Sequence, residues 1–239
     1  MLLRQRFLPE WVAINKRLIK TRYCFMDSEI LNFIVRWGHL LFGIAWIGLL
    51  YYFNFIQGGY FKAASPEGLS DAKAKLAPEA LWWFRWAAMF TFITGVLLLG
   101  MVHGNGLLNS YIVLGALMGT LMFLNVWLII WPNQKIALGM VEGDGPTAGA
   151  KALLASRTNT LFSGPMAFGM LASSHFGYSA DGLLSANGVS TGLFIGIGLI
   201  VLLELNAIFG KLGPMTTVKG VIHASLGLTA VMFAVLHYV

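Results

Sequence analysis

The segment Leu107–Trp131, LLNSYIVLGALMGTLMFLNVWLIIW, contains no charged side chain in 25 residues. A helix of about 20 apolar residues is long enough to cross the hydrocarbon core of a bilayer. Because lipid offers the backbone no hydrogen-bond partner, such a segment crosses the membrane as an α-helix. The segment therefore predicts a transmembrane helix and indicates the class of the whole fold.

Five other apolar runs have a similar character. They are Leu31–Ile56, Leu81–Val102, Thr160–Phe176, Thr191–Phe209 and Thr216–Tyr238. The run that begins at Thr160 is the shortest of the set. The connections from Gln57 to Ala80 and from Pro132 to Asn159 contain Gly, Pro, Ser and charged residues and therefore predict extramembrane loops, and residues 177–189 predict a tighter turn. We therefore expect an all-α fold, a polytopic integral membrane helix bundle with about six transmembrane helices. In this interpretation residues 1–30 form a basic N-terminal extension and residues 31–239 form the six-helix membrane domain.

The composition agrees with a lipid-facing surface. The chain is 57% hydrophobic and 11% charged, with a mean hydropathy of +0.73, whereas a soluble domain has roughly 25% charged residues. The net charge is +6, and most of the charged residues lie between the apolar runs, where they anchor and orient helices. No dense basic patch with interleaved aromatic residues occurs, so we expect the lipid bilayer and not nucleic acid as a partner.

The single cysteine, Cys24, lies outside every predicted span. One cysteine excludes a disulfide and a Cys-ligated metal or iron–sulfur site within one chain. A covalently attached haem needs a Cys-x-x-Cys-His motif, which the sequence lacks. We therefore expect no c-type haem.

The basic residues give conflicting signals about topology. Those in the first 30 residues favour a cytoplasmic N-terminus, and those in the loops after spans one, three and five favour a cytoplasmic position for these loops. With six crossings the N-terminus and these loops lie on opposite sides of the membrane, so they cannot both be cytoplasmic. Met26, followed by Asp27 and Glu29, resolves the conflict as an alternative start. We favour the arrangement with the N-terminus outside.

Polar residues at membrane depth are functional candidates because they are costly there. With the N-terminus outside, they divide into two layers. The outer layer holds Arg36, His39, His103, His175 and His237. The inner layer holds Arg85, Asn125, Asn159, Glu204, Asn206 and His223.

The inner layer has two interpretations. Glu204 forms a structural ion pair with Arg85, His223 or a lysine, or the same residues form a proton relay or an anion-binding site. The histidines also have two interpretations, as haem ligands or as residues of ordinary hydrogen bonding and helix packing. His223 and His237 share one helix face about 21 Å apart, with small residues beside them that leave room for a haem. His39 is a further ligand candidate. The alternative is ordinary hydrogen bonding and helix packing.

Two Gly-x-x-x-Gly motifs predict close helix packing rather than chemistry. They are Gly115-x-x-x-Gly119 and Gly192-x-x-x-Gly196.

Several motifs together are similar to those of a known family. They are Arg36-Trp37-Gly38-His39, Gly43-Ile44-Ala45-Trp46-Ile47-Gly48, Trp83-Phe84-Arg85-Trp86, Asn125-Val126-Trp127, Trp131-Pro132-Asn133-Gln134-Lys135, Asn159-Thr160 and Ser173-Ser174-His175. This pattern resembles the membrane domain of the bacterial membrane-bound urate oxidases (urate hydroxylases). The chain resembles a short form without the C-terminal cytochrome c domain of the longer members.

The resemblance implies a membrane oxidoreductase of purine catabolism in the bacterial inner membrane. By this resemblance, the protein is expected to oxidise urate or a related small molecule and to pass electrons to a separate cytochrome c. The positions that match the family's motifs, His39, Arg85, Asn125, Asn159 and His175, are the first candidates. With Glu204 added from the inner layer, the candidate catalytic residues are Arg85, Asn125, Asn159 and Glu204. The candidate b-type haem ligands are His39, His175, His223 and His237, with His39 and His223 as metal ligands. Alternatives are a non-catalytic subunit of an oligomer or larger membrane complex, and a small-molecule transporter.

Overall fold

A computed structural model of the chain describes residues 4–176 and 190–239, with side chains from Ser28 onward. All regular elements in these residues are helical, which confirms the all-α prediction. The α-helices are α1 (Arg4–Tyr51), α2 (Gly58–Ala63), α3 (Pro66–Asp71), α4 (Ala77–Gly104), α5 (Ser110–Leu124), α6 (Trp131–Ala137), α7 (Gly145–Phe176), α8 (Thr191–Phe209) and α9 (Val218–Tyr238). The π-helical segments are π1 (Tyr52–Gln57), π2 (Ala72–Leu76) and π3 (Asn125–Ile130), and a 3-10 turn covers Gly213–Thr216.

Five helical stretches are long and apolar enough to cross a membrane. They are Ser28–Ala63, Pro66–Gly104, Ser110–Ala137, Thr191–Phe209 and Val218–Tyr238. Many large apolar side chains on these stretches are exposed on the outside of the bundle, as expected for contact with lipid. The chain is therefore a multi-pass membrane protein.

The fourth predicted span, Thr160–Phe176, forms the second half of α7. This helix contacts α1, α5, α6, α8, α9 and π3, and so occupies the centre of the bundle. A helix enclosed by other helices need not present an apolar surface to lipid, so it can carry polar residues. This explains why the apolar run at α7 is short and why α7 is not among the five strongly apolar stretches.

The first helix has no break at the predicted domain boundary. α1 continues from Arg4 through residue 30 to Tyr51, so the predicted extension and the first predicted span belong to one helix. Cys24 and Met26 precede the part of α1 whose side chains are described. The predicted turn over residues 177–189 also lies outside the described residues.

Two connections predicted as loops are largely helical. The stretch from Gln57 to Ala80 contains α2, α3 and π2, and the stretch from Pro132 to Asn159 contains most of α6 and the first half of α7. Ser65 caps α3 by accepting a hydrogen bond from the Gly68 amide, and Asp144 accepts one from the Thr147 amide at the start of α7. Hydrogen bonds from the Thr147 side chain and amide lower the pKa of the Asp144 carboxyl.

Both Gly-x-x-x-Gly motifs lie at helix contacts, as predicted. A Cβ atom at Gly115 would lie 3.2 Å from the Met166 carbonyl oxygen on α7. A Cβ atom at Gly192 would lie 2.6 Å from the Val235 carbonyl oxygen on α9. The small residues therefore allow helix backbones to approach closely.

Asn109 links two helices, and its replacement by alanine should destabilise the protein by about 1–3 kcal/mol. Its Oδ1 atom accepts a hydrogen bond from the Ile112 amide at the start of α5, and its Nδ2 atom donates to the Ser173 carbonyl of α7 at 3.2 Å. Thermal unfolding in detergent measures the loss. Ser190→Ala is the control, because the Ser190 side chain is described only as a cap of α8. Equal losses in the two variants would contradict the linking role.

Candidate functional site

Three of the predicted site residues meet inside the bundle. The Asn125 Nδ2 atom donates to Asn159 Oδ1 at 3.0 Å and to Glu204 Oε2 at 3.2 Å. The Asn159 Nδ2 atom donates to the Met122 carbonyl oxygen at 2.9 Å. Asn125 is 1% exposed and Asn159 is fully buried. We call Asn125, Asn159 and Glu204 the amide cluster; it joins π3, α7 and α8.

The backbone places Asn125 at the start of π3, directly after α5. A π-helical segment inside an α-helix shifts the register of the following side chains, and such segments occur frequently at functional sites. The π1 segment at the end of α1 also carries buried amide side chains, those of Asn54 and Gln57. Two π-helical segments therefore bring amide groups into the bundle interior.

The polar residues of α7 extend the amide cluster toward α1. We call Ser156–Ser163 the α7 polar segment, because its polar members Ser156, Arg157, Thr158, Asn159, Thr160 and Ser163 are all buried. Asn54 donates to the Ser156 hydroxyl at 2.8 Å. The Ser163 hydroxyl donates its only proton to the Thr160 carbonyl, so the Tyr51 hydroxyl donates to Ser163 Oγ, at 2.9 Å.

Arg157 is the member of this segment that the sequence interpretation missed. It is 8% exposed, and neither its Nε nor its Nη1 atom has a hydrogen-bond partner among the described residues. The ion pair found in the described part of the chain joins Lys75 and Asp71 on its exposed surface instead. By sequence, Arg157 is one of the basic residues between the third and fourth predicted spans. Its position two residues before Asn159 on one continuous helix is the signal that would have revealed it.

Arg85 lies apart from the amide cluster. Its guanidinium packs over the Trp131 ring at 3.8 Å and near the Trp127 ring at 5.4 Å. Trp127 follows Asn125 by two residues, so the two side chains leave the helix on nearly opposite sides. The tryptophans hold Arg85 by cation–π contacts on the side of π3 away from Asn125.

The expected ion pair of Glu204 is not found within the described residues. The hydrogen-bond partner of its carboxylate in the structure is Asn125 rather than Arg85, His223 or a lysine. His223 is exposed, and its Nδ1 atom is 2.7 Å from the Lys219 carbonyl oxygen of the same helix. The inner layer thus brings together Asn125, Asn159 and Glu204, without Arg85 or His223.

The four histidines considered as haem ligands have separate environments. The Nδ1 atom of His39 is 3.0 Å from the Thr91 carbonyl oxygen and 3.1 Å from Thr94 Oγ1, and therefore carries the proton that it donates to α4. His175, His223 and His237 are exposed on α7 and α9. The His237 ring stacks on Phe233, with 5.2 Å between the ring centres.

The described contacts of His39, His223 and His237 are with Thr91, Lys219 and Phe233, so none of these contacts joins two of the histidines. No group of three or more His, Cys, Asp or Glu side chains in this part of the chain is placed to hold a metal ion. A cavity of about 500 Å³ between α8 and α9 is lined mostly by apolar residues and contains no histidine in its lining. The chemistry available to the described residues is therefore that of buried amides, hydroxyls, one carboxylate and two arginines.

Several buried polar atoms have no hydrogen-bond partner among the described residues. They are Trp46 Nε1, Asn54 Oδ1, Arg85 Nε, Trp127 Nε1, and Nε and Nη1 of Arg157. Buried polar atoms in native proteins are nearly always paired, so unpaired ones call for water or a ligand. Most of this set are donors, which favour an electron-rich ligand.

A comparison with protein families finds a match over part of the chain. Residues 107–189 match the family described as urate oxidase N-terminal. The match covers 83 of the 239 residues. It confirms the resemblance expected from the motifs over α5, π3, α6 and α7. Within the matched segment lie Asn125, Arg157 and Asn159, whereas His39, Arg85 and Glu204 lie outside it. No curated protein and no solved structure matches the chain.

Proposed function

We propose that the chain is a membrane oxidoreductase of the urate oxidase type, which binds urate or a related anionic heterocycle at the amide cluster. The observation that carries the proposal is the hydrogen-bonded set of Asn125, Asn159 and Glu204 inside a membrane bundle. Polar groups at this depth cost free energy, so they are usually present because they have a function. Asn125 and Asn159 belong to the segment that matches the urate oxidase N-terminal family.

The cluster supplies the groups that such a reaction needs. Hydroxylation of urate removes two electrons, adds the oxygen of one water molecule and releases two protons. Glu204 is the carboxylate available to accept a proton. The Asn125 amide group donates to both Asn159 and Glu204, and therefore fixes the carboxylate relative to α7. Two one-electron acceptors of the cytochrome c class take the electrons.

The proposed reaction also needs an electron acceptor and a membrane location. A separate cytochrome c is the electron acceptor, and the protein resides in the bacterial inner membrane. A second copy or a larger membrane complex accommodates the electron path between the amide cluster and this cytochrome. A b-type haem is not part of the proposed mechanism.

The proposal is tested with the purified full chain in lipid nanodiscs. Urate and oxidised cytochrome c are added, and urate loss and cytochrome reduction are followed together. We expect two molecules of cytochrome reduced for each urate consumed, with no peroxide formed. Heat-treated protein and nanodiscs without protein are the controls.

The alternatives give different results in the same system. A transporter moves radioactive urate into sealed proteoliposomes without reducing cytochrome. A non-catalytic subunit shows neither activity alone and gains cytochrome reduction only with its partner. Urate loss with peroxide formation and no cytochrome reduction would contradict the proposed electron acceptor.

A further inference from the structure

The cavity between α8 and α9 has apolar walls and a volume of about 500 Å³. Leu199 and Leu203 line it from α8, Ala224 and Leu228 line it from α9, and the buried Leu161 lines it from α7. No residue of the amide cluster belongs to its lining. Small-molecule sites in proteins usually have volumes of about 300–1,000 Å³, so the cavity is large enough for a bound molecule.

The connection between α8 and α9 forms the polar end of this cavity. Asn206, in the last turn of α8, and Lys211 both belong to the lining. The Asn206 Nδ2 atom donates to the Lys211 carbonyl oxygen at 3.1 Å, and its Oδ1 atom accepts from the Lys211 amide at 3.3 Å. Asn206 therefore holds the backbone of the connection in place, and the Lys211 ammonium is the charged group at this end.

The charge near this polar end is positive. Residues 205–239 contain Lys211 and Lys219 and no Asp or Glu, and Lys219 lies in the first turn of α9. The ion pair found among the described residues joins Lys75 to Asp71 and involves neither of these lysines. A lysine near the membrane surface attracts anionic lipid headgroups, so the polar end of the cavity favours a negatively charged group.

The other end of the cavity reaches the outside of the bundle. Val231 lines the cavity and is 49% exposed. Leu199 precedes Asn206 by seven residues and Val231 follows Ala224 by seven, so the apolar walls extend about 10 Å along both helices. Water is a poor occupant of such a space, because a bound water molecule needs several polar partners. A hydrocarbon chain from the bilayer matches the walls instead.

We propose that the cavity between α8 and α9 binds an anionic phospholipid, with one acyl chain between the helices and the phosphate group beside Lys211. Both ends of the cavity are needed for this assignment, because the walls select an apolar chain and the lysine selects a negative headgroup. Basic pockets between transmembrane helices bind anionic headgroups in this way. The inference goes beyond the proposed function, since a phospholipid is neither the substrate nor the electron acceptor.

The test uses the purified full chain in detergent. It is titrated with dioleoyl phosphatidylglycerol, and with dioleoyl phosphatidylcholine, which has the same chains and no net charge. Native mass spectrometry measures the bound fraction, and thermal unfolding is followed with each lipid. Lys211→Gln removes the charge, and Ala224→Leu fills part of the cavity. The matched controls are Lys73→Gln, at an exposed position of π2, and Ala230→Leu, at an exposed position of α9.

We expect the wild type to bind phosphatidylglycerol more tightly than phosphatidylcholine and to unfold at a higher temperature in its presence. Lys211→Gln should weaken the binding of phosphatidylglycerol by about fivefold, the effect of one lysine on an anionic lipid. Ala224→Leu should weaken the binding of both lipids by about 5- to 100-fold, because the added side chain occupies the space of the acyl chain. Both control variants should bind as the wild type does.

Three results would overturn the inference: equal affinity of the wild type for the two phospholipids, an equal loss in Lys73→Gln and Lys211→Gln, or wild-type binding by Ala224→Leu. If Ala224→Leu does not fold, competition with other amphiphiles gives the second measurement. Oleate and a short-chain ubiquinone should not displace phosphatidylglycerol at equal concentration. Displacement by either would assign the cavity to a fatty acid or a quinone, against the proposal. None of these outcomes depends on urate oxidation.

Discussion

Replacing Gly169 with alanine should destabilise the protein by about 2–3 kcal/mol. A Cβ atom at Gly169 would lie 2.8 Å from the Tyr111 carbonyl oxygen and 3.4 Å from the Gly115 Cα atom. Both contacts are with the backbone of α5, which cannot rotate away as a side chain does. The two helices must therefore separate at the contact between α5 and α7. Thermal unfolding of the purified protein measures the effect.

Gly198→Ala is the matched control. This glycine is exposed on α8, and a Cβ atom there has no neighbour within 4 Å. Alanine is the better helix former by up to about 1 kcal/mol, so this variant should be as stable as the wild type or more stable. The same substitution thus has opposite effects at the two positions. A similar loss in both variants would show that helix packing at Gly169 is not what limits stability.

The sequence could predict the fold class because lipid imposes a simple rule on surface helices. Five apolar stretches have the length and composition that a spanning helix requires, and their exposed side chains face outward. The rule is weaker for α7, because the surroundings of that helix are other helices and not lipid. Its true start at Gly145, and its central place, follow from contacts between segments distant in the sequence.

The helical connections were missed for a different reason. Gly, Pro, Ser and charged residues between Gln57 and Ala80 indicated a loop, yet Ser65 and Pro66 are a favourable start for a helix. The same holds for Asp144 before α7. Composition alone cannot distinguish a loop from a short exposed helix, whereas the order of capping residues can.

The candidate site was predicted in part. Asn125, Asn159 and Glu204 were selected because polar groups at membrane depth are costly, and they meet in the structure. Arg85 was selected by the same argument but packs on Trp127 and Trp131 instead. The free-energy cost of a polar group at membrane depth indicates that the residue needs a partner, but not which residue the partner is. The direction in which π3 turns its side chains decides between them.

Replacing Glu204 with glutamine should lower the rate of urate oxidation by about 100-fold or more, the range lost with a general base. Glutamine keeps the size of the side chain and an oxygen that accepts the hydrogen bond from Asn125 Nδ2. In the wild type this nitrogen is 3.2 Å from Glu204 Oε2. The variant should therefore fold and bind urate. What it lacks is the negative charge that accepts a proton. Initial rates of urate loss and of cytochrome reduction measure the effect.

Glu142→Gln is the matched control, because Glu142 is exposed in the connection between α6 and α7. It should leave the rate unchanged. The division between kcat and KM separates the two possible roles of Glu204. If Glu204 is a proton acceptor, its loss lowers kcat with little change in KM. If it only holds Asn125 and Asn159 in position, its loss changes KM and the unfolding temperature. A fully active Glu204→Gln would assign the amide cluster to structure and would contradict the role of Glu204 as the proton acceptor.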